Sequence, residues 1–123
     1  VTDEVKLAVP ATPEFVRLAR VTAAGLASRL GFTFEQVDDL RLAIDELCYA
    51  LIGPSGRPGT VQLRYLLRPD GIEVEGAGHF HEDAGPPSAV SELSGQILDA
   101  LVDEHEVVVD GSSPRFRLVK LGP

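Results

Sequence analysis

The run Thr33-Phe34-Glu35-Gln36, followed by Val37, Leu40, Ile44, Leu47 and Leu51, fixes one element of this chain before any other. A threonine and a glutamine three residues apart can satisfy each other's backbone N–H groups at a helix start. Apolar residues then recur every three or four positions over about four turns, so one side of a long helix must be buried. A helix of this kind needs a second layer to pack on, and the rest of the chain has to supply it.

Val5, Leu7 and Val9 alternate with Lys6 and Ala8, which predicts a strand over Glu4 to Val9 that ends at Pro10. Thr12-Pro13-Glu14 reads as a helix start, with Thr12 as N-cap and Pro13 where its missing N–H does no harm. That first helix should run to about Leu30, with Phe15, Leu18, Thr22, Leu26 and Leu30 inward and Gly31 closing it. The segment Gly53-Pro54-Ser55-Gly56-Arg57-Pro58-Gly59 can only be a loop. Val61, Leu63, Tyr65 and Leu67 then mark a strand from Thr60 to Arg68. Asp70-Gly71 joins this strand as a hairpin to Ile72-Glu73-Val74-Glu75, with both glutamates in solvent. A loop over Ala77 to Pro87 precedes a helix from about Ser88 to Asp103, with Val90, Leu93, Ile97, Ala100 and Leu101 inward. Strands over Glu106 to Val109 and Arg115 to Leu121 flank the turn Asp110-Gly111-Ser112-Ser113.

The order β-α-α-β-β-α-β-β predicts an α+β two-layer sandwich: a mixed, mostly antiparallel sheet with three helices on one face. Arg64, Arg68, Glu73, Arg115 and Arg117 fall on the other face, which must be wet. With 123 residues, 44% of them apolar, the chain is expected to form one domain over residues 1–123. A net charge of −8 opposes phosphate-backbone binding, so no direct nucleic-acid partner is expected. Neither a membrane span nor an export signal is expected, and the single cysteine, Cys48, points to a cytoplasmic location.

The segment Asp39-Leu40-Arg41-Leu42-Ala43-Ile44-Asp45-Glu46-Leu47-Cys48 carries more information than any other. Read with Leu18-Ala19-Arg20-Val21-Thr22 and the closing Leu98-Asp99-Ala100-Leu101-Val102-Asp103-Glu104, it resembles the RsbW/SpoIIAB anti-sigma factors. These are serine kinases of the GHKL, or histidine kinase-like, ATPase superfamily, and the resemblance covers nearly the whole chain. It implies a base at Glu46, a magnesium ligand at Ala50, and an Asp-x-Gly-x-Gly adenine motif over Gly76-Ala77-Gly78-His79-Phe80. Glu46 is retained, but alanine has no oxygen to offer a hard cation, and only Gly78 fits the adenine motif. Where the family has phosphate-binding glycines, this chain has Gly85-Pro86-Pro87-Ser88 and Gly95, and proline lacks the N–H that cradles phosphate.

The resemblance therefore implies a regulator that sequesters a sigma factor and is released by an anti-anti-sigma partner, with nucleotide binding lost or weak and no cofactor expected. The alternative is an active ATP-dependent serine kinase acting on the anti-anti-sigma partner, with ATP and magnesium bound; a regulatory domain for some other partner also stays open. Arg20 matches the family's partner-binding arginine, and Arg17 lies one turn earlier on the same helix. A homodimer through the sheet is implied, with Tyr65, Leu67 and the first strand contributing. His79-Phe80-His81-Glu82-Asp83 could ligate a metal ion but reads more simply as a polar turn, and His105 stands apart, so no metal site is expected. Cys48 reads as core packing rather than as a nucleophile.

Overall fold

The computed structural model describes residues 3–81, 92–108 and 113–122. Eight elements follow in the expected order: β1 Asp3–Pro10, α1 Pro13–Arg29, α2 Phe34–Ile52, β2 Gly59–Arg68, β3 Gly71–Phe80, α3 Glu92–Leu101, β4 Glu104–Val108 and β5 Arg115–Leu121. The strands form one sheet in the order β1-β2-β3-β5-β4. A mixed sheet was expected, but every pairing is antiparallel.

α2 is the helix that its periodicity predicts. Thr33 accepts from the Gln36 amide at 3.1 Å and the Gln36 side chain accepts from the Thr33 amide at 2.9 Å, so both halves of the capping box form. Leu40, Ile44, Leu47 and Leu51 are fully buried. Val9 of β1, Val61, Leu63 and Tyr65 of β2, Ile72 and Val74 of β3, and Phe116 and Leu118 of β5 join them in one core. The shared register of these strand residues puts them on a single sheet face, and α1 and α2 cover it.

α1 corrects the sequence reading. Phe15 and Leu18 were expected inside but are 38% and 47% exposed; Val16, Ala19, Ala23 and Ala27 are buried instead. Small residues let a helix axis approach its neighbours closely, and here close approach outweighs the burial of two larger side chains. The Tyr65 hydroxyl donates to the Ala19 carbonyl at 2.8 Å across the alanine face. Tyr65 is thus fully buried beneath α1 and cannot serve a dimer contact, as had been expected of it. Thr12 sits at the N-cap of α1 without a side-chain hydrogen bond, while Gly31 takes the positive φ of 85° that ends the helix.

α3 departs in the same way. Leu93, Ile97 and Ala100 face solvent and Leu98 is the buried residue. Among the described residues it packs mainly on α2 and β4, so a narrower face suffices. Val90 and the turn over 110–112 lie outside the described residues. β4 starts at Glu104, two residues earlier than expected, because α3 already ends at Leu101.

On the opposite sheet face, Glu73 was expected in solvent. Its side chain is only 13% exposed, with Arg117 at 2.9 Å and Arg68 at 3.2 Å. Burial pushes its carboxyl up, but hydrogen bonds from Arg117 and Arg68 outweigh that and hold it below the usual glutamate value. A depressed carboxylate stabilises the fold above its unfolded pKa, and that stability is lost as pH falls through the folded value.

Two checks follow by urea denaturation. Ala23→Leu should destabilise by about 1–3 kcal/mol through overpacking, whereas Leu18→Ala should change stability by no more than about 0.5 kcal/mol; the reverse ranking would restore the expected helix face. Glu73→Gln should lose less stability than the parent protein between about pH 5 and about pH 3, and parallel acid profiles would show that the Glu73 ion pairs carry no such weight.

Candidate functional site

Asp39, Ala43, Glu46 and Ala50 are three or four residues apart and form one stripe along α2. The direction of this stripe is set by Lys120 of β5, whose ammonium lies 3.6 Å from Asp39 and donates to the Leu101 carbonyl at the end of α3 at 2.6 Å. Glu46 and Ala50 thus belong to the side of α2 that meets β5 and α3. Glu46 is half-buried, and among the described residues no ion pair reaches it. Ala50 is 6% exposed and presents a methyl group where magnesium would need an oxygen.

The opposing wall is β3, and it holds the largest correction to the sequence reading. The segment from Ala77, expected as a loop, continues as strand to Phe80, paired with β2 throughout and with β5 up to Ala77. Gly76 lies between Leu63 and Phe116 in register, on the helix-facing side. A Cβ built on Gly76 would run into the Phe116 ring, and one built on Gly78 into the ring of Phe80. The missing side chains make room for two aromatic rings, and the rings hold the glycines in the strand. Periodicity had missed this because glycine contributes nothing to an alternation pattern, and the sequence reading did not single out Phe116.

Arg57 closes the arrangement from the loop after α2. Its guanidinium stacks 4.1 Å from the centre of the Phe80 ring, and it donates to the Leu51 carbonyl near the end of α2 at 3.4 Å. Burial lowers its pKa. An aspartate at 76 would need the space occupied by Phe116, so the wall offers neither a carboxylate for an adenine amino group nor room for one. Together with Ala50, the residues present do not fit a magnesium nucleotide. What remains of the chemistry is Glu46, one carboxylate able to accept a proton. The proline-bearing stretch 85–88 lies outside the described residues, and Gly95 sits within α3 with open space beside it.

The arginines of α1 are placed differently from each other. Arg17 is exposed, while Arg20 forms an ion pair with Asp45 of α2 at 2.8 Å, each side chain about one-third exposed. Asp45, which the sequence did not single out, thereby holds the Arg20 guanidinium over the α1–α2 seam. Cys48 is fully buried, and burial, with a smaller effect from the Asp45 charge, pushes its thiol up to about 12. It is core packing and not a nucleophile. His79 is an exposed strand residue rather than part of a loop, Glu82 and Asp83 lie outside the described residues, and His105 pairs with Asp99 at 2.6 Å. Among the described residues no group of three metal-ligating side chains converges.

Comparison with known proteins places this geometry. The model of the histidine kinase-like ATPase domain matches residues 9–113. The serine-protein kinase RsbW of Bacillus pumilus (strain SAFR-032) is 32% identical over 126 aligned residues, covering 85% of this chain and 78% of that protein. The serine-protein kinase RsbW of Bacillus subtilis (strain 168) is 35% identical over 75 residues, covering 58% of this chain and 47% of that protein. That of Listeria monocytogenes serotype 4a (strain HCC23) is 36% identical over 77 residues, covering 58% and 48%. The chain thus aligns with about half the length of these last two relatives. No helix is long and apolar enough to cross a membrane among the described residues.

Gly76→Asp should destabilise the protein by roughly 3 kcal/mol or more, since it forces a carboxylate against a packed ring in the core. Adding Phe116→Ala should recover part of that loss by vacating the space. Equal stability of Gly76→Asp and the parent protein in thermal denaturation would show that the ring does not fill this position.

Proposed function

The chain belongs to the histidine kinase-like ATPase domain family, among the relatives of serine-protein kinase RsbW, and from that premise we propose that it works as a binding regulator rather than as a kinase. In this reading it sequesters a sigma factor, releases it when an anti-anti-sigma protein competes, and does so with little or no help from ATP. The observation that carries the reading is the wall of β3, where Phe116 stands over Gly76 in the place of an adenine-binding carboxylate. Ala50 on α2, with no side-chain oxygen, supports it.

Phosphoryl transfer depends on positioning and on charge neutralisation by a metal ion. A lone general base contributes little when neither the metal nor the nucleotide is held. Glu46 on this account is a relic of the catalytic constellation, and it is also the single observation that favours the second reading, an active serine kinase acting on the anti-anti-sigma protein.

Partner binding is assigned to the outward side of the helical hairpin. Arg17 and Arg20 stand there beside Leu18 and Val21, which are large, apolar and exposed. An arginine can meet a partner carboxylate with two parallel hydrogen bonds. Arg20 already has one carboxylate in Asp45, so docking exchanges a partly exposed ion pair, worth up to about 1 kcal/mol, for one at an interface that excludes water.

Calorimetry with Mg·ATP should show no binding at micromolar affinity, and incubation with an anti-anti-sigma protein should transfer no phosphate; either event would favour the kinase reading. The partner surface is tested by a charge swap. Arg20→Asp combined with Asp45→Arg keeps an ion pair across the α1–α2 seam, so the fold should stand while sigma-factor capture falls at least tenfold. Capture at the parental level would remove Arg20 from the interface.

A further inference from the structure

The arginines of this molecule are held in two ways. On the sheet, Arg64 lies within 3.5 Å of both Glu4 and Glu75, Arg68 reaches Asp70 and Glu73, and Arg117 reaches Glu73 and Glu104. Each of these guanidinium groups is gripped by two carboxylates. Arg20 is not: among the described residues it meets one carboxylate, Asp45, through a hydrogen bond from Nη1 to Oδ2 at 2.8 Å. The guanidinium fork carries more N–H donors than this bond uses, so part of it stays uncommitted.

Asp45 is held as loosely. Among the described residues no second cation reaches it, and its side chain is 37% exposed against 30% for Arg20. Parting the pair returns both charges to water rather than stranding one in the core, so the pair can exchange. Its surroundings place it under any partner that covers Arg20. Leu42 and Tyr49, three residues before and four after Asp45 on α2, are exposed, as are Leu18 and Val21 beside Arg20 on α1. A protein that buries this apolar surface on both helices covers the ion pair between them. A carboxylate aimed at Arg20 then meets the charge of Asp45 first.

Given Arg20 on the partner surface, an assignment on which the inference rests, we propose that Asp45 is an internal competitor for the Arg20 guanidinium. It occupies the arginine in the free protein, yields it to a partner carboxylate on docking, and takes it back as the partner leaves. Capture is weaker, and release faster, than the same contact surface would give with a neutral residue at position 45. That suits a complex which a second protein must be able to dissolve. One ion pair is lost for each one gained, so salt affects parental binding less than binding by a variant without the Asp45 charge.

The test is a double-mutant cycle on binding to the sigma factor of the charge-swap assay, read as affinity and dissociation rate by surface plasmon resonance. Asp45→Asn keeps the shape and removes the charge. It should bind at least about threefold tighter than the parent protein, mainly through slower dissociation, and lose affinity more steeply between about 0.1 M and about 0.5 M salt. In the Arg20→Ala background the same substitution should change nothing, because Asp45 acts through Arg20. Weaker or unchanged binding by Asp45→Asn, or equal tightening in both backgrounds, would overturn the proposal while leaving sigma-factor capture intact. A second readout needs no partner. Phenylglyoxal should modify Arg20 more slowly than Arg17 in the parent protein, and Asp45→Asn should raise the Arg20 rate at least about threefold without changing that of Arg17. An unchanged Arg20 rate would overturn the proposal by itself. Failure of the parent protein to bind a sigma factor, with the modification rates as expected, would remove the assigned partner and keep Asp45 as the group that screens Arg20.

Discussion

The contact between Phe116 and Gly76 packs the helix-facing side of the sheet where β3 and β5 meet. β3 and β5 are neighbours, and their register sets a side chain of one directly beside the backbone of the other. Glycine at 76 admits the ring, and the ring restores to the strand the packing that a glycine forfeits. Phe80 repeats the arrangement over Gly78, with Arg57 stacked on its ring and bonded to the end of α2. The wall formed by β3 is thus bound into the protein's own core.

That substitution has a thermodynamic side. A domain built around a ligand cleft gains stability when the cleft is filled, and an empty polar cleft keeps unpaired groups and water. Here aromatic rings and apolar side chains occupy the same region, and among the described residues the core contains no buried polar or charged side chain. On the reading proposed above, the stability of the fold does not depend on nucleotide concentration, which suits a regulator governed by competition between protein partners.

How much of this could be read from the sequence depended on residue size. α2 and β2 announce themselves because large apolar residues recur at the right spacing, and the capping box at Thr33 sets the start of α2 to the residue. α1 was placed correctly but turned the wrong way: hydrophobicity favours Phe15 and Leu18 over Ala19 and Ala23, whereas close packing rewards the alanines. β3 was cut short at Glu75 because Gly76 and Gly78 are weak strand formers when taken alone; ladder partners on both sides of Gly76, and on the β2 side of Gly78, make them strand residues. The family itself was legible in Asp45-Glu46-Leu47-Cys48 and its surroundings. The filling by Phe116 was hidden, since it joins residues forty positions apart in sequence. Pairing Gly76 with the aromatic of the last strand, on a register derived from the hairpins, is the one route by which it could have been anticipated.

The most direct measurement is of the glycine Hα resonances by nuclear magnetic resonance, with and without millimolar Mg·ATP. Protons lying against the face of an aromatic ring are displaced from their ordinary shifts, so Gly76 and Gly78 should show displaced Hα signals that stay in place when the nucleotide is added. Ordinary glycine shifts in the free protein, or displaced signals that collapse on addition of Mg·ATP, would contradict the account.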